Sequence, residues 1–169
     1  AQFATDASPD FEWLENLTLG MAGRGRTWDC FAILRPTSPF RTAETIQRAW
    51  REFQAGQPCD SLRAVEKVRQ HPGKMWELDG RFITPFFTVR HANGQPYHSN
   101  PGQNLPSLYV QNASLEIAWT RVLTDQRNIS GDKIKPFFTE GYEGFDINGE
   151  DDWILAEALL ERGLVTLQR

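Results

Sequence analysis

Arg35, Thr37, Ser38 and Arg41 stand within one short stretch and carry the most obvious binding chemistry of the chain. Guanidinium groups offer fixed, paired donors, and hydroxyls beside them suit a carboxylate or a phosphate. The same residues would also make a rigid Pro-Thr-Ser-Pro turn between solvated arginines, and residue types alone do not separate these readings. A second grouping is Phe145-Asp146-Ile147-Asn148. In an extended segment Asp146 and Asn148 fall on the same side. A carboxylate and an amide oxygen so placed can hold Mg2+, which prefers hard oxygen ligands and completes its shell from water and phosphates. The alternative is that Asn148 caps a helix and Asp146 is a surface charge. His71, His91 and His98 neither pair at i, i+4 nor accompany a cysteine at ligand spacing, so no zinc site is expected. Ser38 has no Gly-x-Ser-x-Gly context and no His and Asp partners in order, which sets aside serine hydrolysis. Gly23 and Gly25 precede rather than follow an apolar run, so they do not form a phosphate loop.

These groups need elements to hold them. Ser8-Pro9-Asp10 predicts a helix start, with Ser8 capping, Pro9 in the first turn and Asp10 at the positive end of the dipole. Phe11, Leu14, Thr18 and Met21 then share a face, and Gly20, Gly23 and Gly25 end it. Cys30 to Leu34 is a continuous apolar run, the pattern of a strand buried on both sides in a parallel sheet. The prolines of the next segment force a turn, Thr42 caps a helix carrying Ile46, Ala49, Trp50 and Phe53, and Ser61 to Glu66 reads as another buried strand. From His71 to Pro106 the chain is rich in Pro, Gly and aromatics without a helical period, which suggests an inserted segment with β-hairpins. Ala113 to Trp119 alternates apolar Leu115, Ile117 and Trp119 with polar Ser114 and Glu116, and Lys135 to Thr139 is strand-like. Asn148 opens a last helix with Ile154, Leu155, Ala158 and Leu159 as its apolar stripe and Gly163 as its stop. Alternating strands and helices imply an α/β fold with a mainly parallel sheet, whose ligands bind outside the carboxyl ends of the strands. The loop after Leu34 lies there.

Composition narrows the partners. The 169 residues, with a net charge of −4 and no Lys/Arg run, do not provide the basic face that nucleic acid or an anionic membrane surface demands. No stretch is long and apolar enough for a membrane helix, and no basic-then-apolar leader stands at the start. Cys30 and Cys59 have no disulfide or metal spacing, which fits a cytoplasmic protein.

Several segments, in order along nearly the whole chain, resemble the acylneuraminate (CMP-sialic acid type) cytidylyltransferase family. Ala4-Thr5-Asp6-Ala7-Ser8 is similar to the family's A-[ST]-D-x-A-S segment, and Leu34 to Thr42 to its L-Q-P-T-S-P-L-R-T loop, the most specific match. His71-Pro72-Gly73-Lys74 resembles H-P-x-K, Gln103 to Pro106 resembles R-Q-x-L-P, and Asn112-Ala113-Ser114 resembles R-x-N-G-A. Asp146-Ile147-Asn148 falls on D-I-D, with Asp152-Trp153 following at the family's distance.

The resemblance implies a Rossmann-like, three-layer nucleotidyltransferase fold with a protruding β-rich dimerisation insertion at about residues 71–106, within a single domain over 1–169. It implies a homodimer that uses CTP and Mg2+ to activate an acidic nine-carbon sugar, the sugar hydroxyl displacing pyrophosphate from the α-phosphate. Carried over, Ser8 belongs to the nucleotide side. Arg35, Ser38, Arg41, Lys74, Gln103 and Asn112 bind substrate, with Arg35 expected on the sugar carboxylate. Asp146 is catalytic and, with Asn148, binds metal. The departures are specific: Arg35 stands where the family has Gln, Gly102 where it has Arg, and Asn148 where it has a second Asp. The family's N-terminal strands and A-R-x-G-S-K phosphate loop have no counterpart here, so the chain is expected to be an incomplete portion, inactive alone. Two alternatives stay open: a nucleotidyltransferase for another acidic sugar, or a non-catalytic module that dimerises or binds sugar.

Overall fold

The computed structural model describes residues 8–167, in two compact units: residues 66–110 form one, and the chain on either side forms the other.

The larger unit is mixed α/β. It contains α1 (Asp10–Ala22), β1 (Cys30–Ile33), α2 (Ala43–Gln54), β2 (Ser61–Lys67), β5 (Tyr109–Trp119), α3 (Thr120–Asp125), β6 (Ile134–Phe138) and α4 (Glu150–Glu161), with the tips of β2 and β5 running into the smaller unit. The sheet order is β1-β5-β2-β6. β2 and β6 are parallel, whereas β1 is antiparallel to β5. β5 opposes β2 as well, since Trp119 N donates to Asp60 O beside the start of β2. The sheet is thus not uniformly parallel: β1, β2 and β6 share a direction and β5 runs against them. Nor is β1 buried on both faces. It is an edge strand with Ala32 and Leu34 exposed, and an apolar run does not reveal which neighbour will cover it.

Cross-strand neighbours share a face, so the β1–β5 register sorts the layers. Leu115 and Ile117 join Leu62, Ala64 and Phe137 under Ala49 and Phe53 of α2. Ile33, opposite Glu116, lies on the other face with Leu14 of α1 and Leu123 of α3. Helices therefore cover both sides of the sheet. Because β5 is central, its pattern is not the alternation of a half-solvated strand: Ser114 and Ala118 are as deeply buried as Leu115.

Local chemistry sets the helix ends. Thr42 accepts from Thr45 N at 3.1 Å while Thr45 Oγ1 accepts from Thr42 N at 3.2 Å, a reciprocal cap on α2. α1 is capped at Pro9 without a side-chain bond, so Ser8 stands one residue before the cap, and Gly20 lies within the helix. α4 begins after Gly149, not at Asn148; Asp152 Oδ2 reaches back to Asn148 N at 2.9 Å and Gly149 N at 3.1 Å. Its buried residues are Ala156 and Leu159, packed with Phe40, whereas Ile154 and Leu155 are exposed. The expected stripe is rotated because α4 is apolar around most of its circumference, and periodicity then does not choose a face. Gly163, at φ +65°, ends it as expected, with Leu164 N donating to Leu159 O at 3.0 Å.

The amino edge of the sheet is closed by Asp60. Its carboxylate accepts from Asp132 N at 3.0 Å, Lys133 N at 2.9 Å and Arg121 at 2.7 Å, and Gly131 approaches so closely that a Cβ there would meet Asp60 Cβ at 2.3 Å.

In the smaller unit β3 (Trp76–Asp79) and β4 (Phe82–Pro85) form an antiparallel hairpin closed by Gly80 and Arg81. Trp76, Leu78, Phe82, Ile83 and Phe86 are exposed. Phe87 is half-buried and stacks on Tyr97 at 6.0 Å. Among the described residues no helix is long and apolar enough to cross a membrane.

Candidate functional site

The antiparallel register has a direct consequence for the loop after β1. With Ile33 opposite Glu116, the earlier residues of β5 lie beyond the carboxyl end of β1. Arg41 fixes the loop there, donating from Nη1 and Nη2 to Arg35 O at 3.1 and 3.2 Å and from Nη1 to Ser114 O. Burial pulls the Arg41 guanidinium below its usual range. It has no carboxylate partner among the described residues; its donors serve as a main-chain clamp. Ile147 N donates to Thr37 O at 2.9 Å, which brings the Asp146 segment to the same loop. Asn112 donates to Thr139 Oγ1 at 2.9 Å and accepts from Ser114 N at 3.2 Å. Arg35, Ser38, Arg41, Asn112 and Asp146 therefore converge on the carboxyl edge of the sheet, although β5 reaches that edge with its amino end.

Arg35 is already committed. It forms an ion pair with Asp10 in the first turn of α1 and lies 3.8 Å from Glu116, which Arg63 holds at 2.6 Å. The Asp10 hydrogen bond raises the Arg35 guanidinium above its usual range against the opposing effect of burial, with the charges of Asp10, Glu116 and Asp146 adding to the rise. Burial acts to raise the Asp10 carboxyl, but hydrogen bonds from Arg35 and Trp13 and the charges of Arg35 and Arg63 outweigh it and leave it below the usual carboxylate range. A ligand carboxylate at Arg35 would have to displace a partner from the protein itself. Asp10 appeared in the sequence only as a favourable helix-dipole residue; a pairing across 25 positions leaves no local signal.

At this edge Ser38 Oγ, Ser114 Oγ and Asp146 Oδ1 are buried and have no hydrogen-bond partner among the described residues. Buried polar atoms are normally satisfied, so three at one edge mark a place where ligand or solvent completes the bonding. For Mg2+, the unpaired Asp146 oxygen is the appropriate donor type, and Asn148 is exposed two residues on. No group of three or more metal-ligating side chains occurs among the described residues, so most ligands of such an ion would be water and phosphate oxygens.

Lys74 and Gln103 belong to the smaller unit, where both line one cavity of about 590 Å³. Lys67, Arg69, His71 and Gly102 line it too, and no Asp or Glu does. His71 Nδ1 accepts from Gly73 N at 2.9 Å and its Nε2 lies 3.1 Å from Pro106 O, contacts that together call for the neutral ring protonated at Nε2. The ring ties the Lys74 turn to the Gln103 segment. Lys67 and Arg69 were not singled out from sequence, though their i, i+2 spacing at a strand end was a signal. Ser8 is half-buried ahead of α1, and the rest of its motif, Ala4 to Ala7, lies outside the described residues.

By sequence, the chain is 26% identical over 164 residues to the CMP-N,N'-diacetyllegionaminic acid synthase of Legionella pneumophila, covering 94% of this chain and 65% of that protein. In sequence it is therefore similar to a CMP-sugar synthase. It spans about two-thirds of the length of that relative. No family model matches it. In fold it is similar to 4-diphosphocytidyl-2C-methyl-D-erythritol synthase from Anaerococcus prevotii, with a TM-score of 0.52 at 12% identity over 85% of this chain and 64% of that one. The mixed sheet flanked by helices is thus a fold shared with that synthase. Against the family motifs, the P-T-S-P loop and the D-I-N segment meet at one sheet edge, and the H-P-x-K and Q-x-L-P segments meet at one cavity.

Proposed function

We propose that this chain is part of a cytidylyltransferase that activates an acidic, sialic-acid-like nine-carbon sugar with CTP, giving a CMP-sugar and pyrophosphate. The observation that carries this reading is the cavity of the smaller unit, which gathers Lys74 and Gln103 with further cations and no carboxylate. Cations without internal partners suit an anionic ligand, and hydroxyl-rich sugars suit the amide beside them.

The nucleotide and metal are assigned to the α/β unit. Asp146 and Asn148 would hold Mg2+, which when bound neutralises phosphate charge during the displacement. Ser8 belongs to the nucleotide side, and Ser38 and Asn112 supply polar contacts at the sheet edge. Arg41 keeps the loop in place, so that Ser38 meets the substrate on a fixed backbone. In the reaction a sugar oxygen bonds to the α-phosphorus, the bond to the pyrophosphate oxygen breaks, and the hydroxyl proton leaves to a base; Asp146 is the carboxylate assigned to this step. The exposed hairpin is proposed to pair with a second copy of the chain. A cytoplasmic setting is supported by two free thiols, of which Cys30 is pushed up by burial and the neighbouring Asp29.

The test is phosphorus NMR of CTP and Mg2+ incubated with the protein restored at its N-terminus and a panel of carboxylated and neutral nine-carbon sugars. CMP-sugar and pyrophosphate are expected with the carboxylated members alone. Binding of an acidic sugar without turnover would point to a sugar-binding module, and neither binding nor turnover would overturn the reading.

A further inference from the structure

Five arginines of the α/β unit are committed in a way that the cations of the smaller unit's cavity are not. In the α/β unit Arg35, Arg48, Arg63, Arg121 and Arg127 each pair with a carboxylate. In the cavity of the smaller unit, Lys67, Arg69 and Lys74 have no ion pair among the described residues, and no acid lines the wall. Of these three cations only Arg69 is a guanidinium, and only a guanidinium offers two coplanar donors matched to both oxygens of a carboxylate. Gly102, on the same wall, adds no side chain, and a Cβ built there would meet nothing within 4 Å. That leaves room for a ligand group against the wall.

We propose that Arg69, not Arg35, recognises the ligand's carboxylate and determines the preference for an acidic sugar, with Lys67 and Lys74 flanking it. This rests on the assignment of an acidic sugar to this cavity, and replaces the expectation that Arg35 does the work. Three features support the exchange. Arg35 is held by Asp10 and Glu116 and would have to give up a partner, whereas Arg69 has none to lose. Arg69 is exposed and outside the core clusters, so its donors are available without refolding. His71 braces the cavity through its contacts to Gly73 and Pro106, so the site has a wall even without ligand.

The experiment is calorimetric titration of the protein with N-acetylneuraminic acid and with its neutral methyl ester, for the native chain and for R69Q, R69K and R35Q. The native chain is expected to bind the acid and to lose roughly ten- to a hundredfold in affinity for the ester. R69Q should bind acid and ester alike, R69K should fall between, and R35Q should keep the native preference. Melting curves check that R69Q is folded; R69K, which keeps the charge but not the fork, tests the same point independently. Acid preference that survives R69Q overturns the role of Arg69 and leaves the acidic-sugar reading intact. Loss of preference in R35Q with R69Q unchanged returns the role to Arg35. Equal binding of acid and ester by the native chain, or binding of neither, overturns both.

Discussion

Asp10 and Arg35 meet across 25 positions, so that the first turn of α1 is tied by charge to the loop that follows β1. The pair is partly solvated, with 39% of the Arg35 side chain and 23% of the Asp10 side chain exposed. It positions the loop more than it stabilises the fold.

Asp10→Asn should therefore cost only about 0.5 to 1 kcal/mol at neutral pH. The folded-state carboxyl is depressed, so its contribution is present above the unfolded value near 4 and is lost as pH falls through the folded value. Native and D10N stabilities, measured by denaturant titration at neutral and strongly acidic pH, should differ at the first and converge at the second.

Glu143 makes a tighter junction. It accepts from Thr45 Oγ1 at 2.7 Å, from Glu140 N at 2.8 Å and from Arg48 at 2.5 Å, joining α2 to the segment before Asp146. Burial acts to raise its carboxyl, but these bonds and the Arg48 charge hold it below the usual range. Glu143→Gln keeps the shape and loses the charge, so a loss of about 1 to 2 kcal/mol is expected above the carboxylate range, fading as pH falls through the folded value. Denaturant titrations at several pH values read the difference.

Two glycines with similar backbone angles should respond differently to alanine. Gly131 and Gly141 have φ of +70° and +54°, and only Gly131 is crowded, by Asp60. Gly141→Ala should cost about 1 kcal/mol for the backbone alone. Gly131→Ala should cost clearly more, because it also displaces the carboxylate that closes the amino edge. Paired melting curves decide; equal losses would mean that the Asp60 contact carries no strain.

The hairpin supplies the prediction about assembly. Phe82 is 78% exposed and Leu78 74%, in a two-stranded element that buries neither. If the hairpin pairs with a second copy, Phe82→Glu should weaken self-association at least about tenfold, read by sedimentation equilibrium, with an unchanged melting curve at dilution. A native chain that stays monomeric at high concentration would refute it.

Where local rules act alone, the sequence was readable. Thr42 as a cap, Gly163 as a stop and the inward face of Phe11, Leu14, Thr18 and Met21 all follow from spacing within one helix. The P-T-S-P loop at the sheet edge followed from a strand meeting two prolines. Strand direction was not readable, because an apolar run such as Cys30 to Leu34 says nothing about which way its neighbour runs. Nor were the partners of charged residues: Arg35 looked available until Asp10 was folded against it. Ser114 read as the solvated side of an alternating strand, but β5 is central and buries it completely. The lining of the smaller unit's cavity was half visible, through Lys74 and Gln103 in motifs, while Lys67 and Arg69 belonged to no motif.

The unsatisfied oxygens of Ser38, Ser114 and Asp146 have a consequence for how this chain can drift by mutation. An alanine at position 114 would remove a buried hydroxyl with no partner among the described residues and fill nearly the same volume, a change worth about 1 kcal/mol in favour of folding. The same holds at position 38. In a population under selection for folding alone, both serines are therefore expected to erode. A lineage that keeps them reveals a use for them, whereas one in which they turn to alanine has traded binding for thermal endurance.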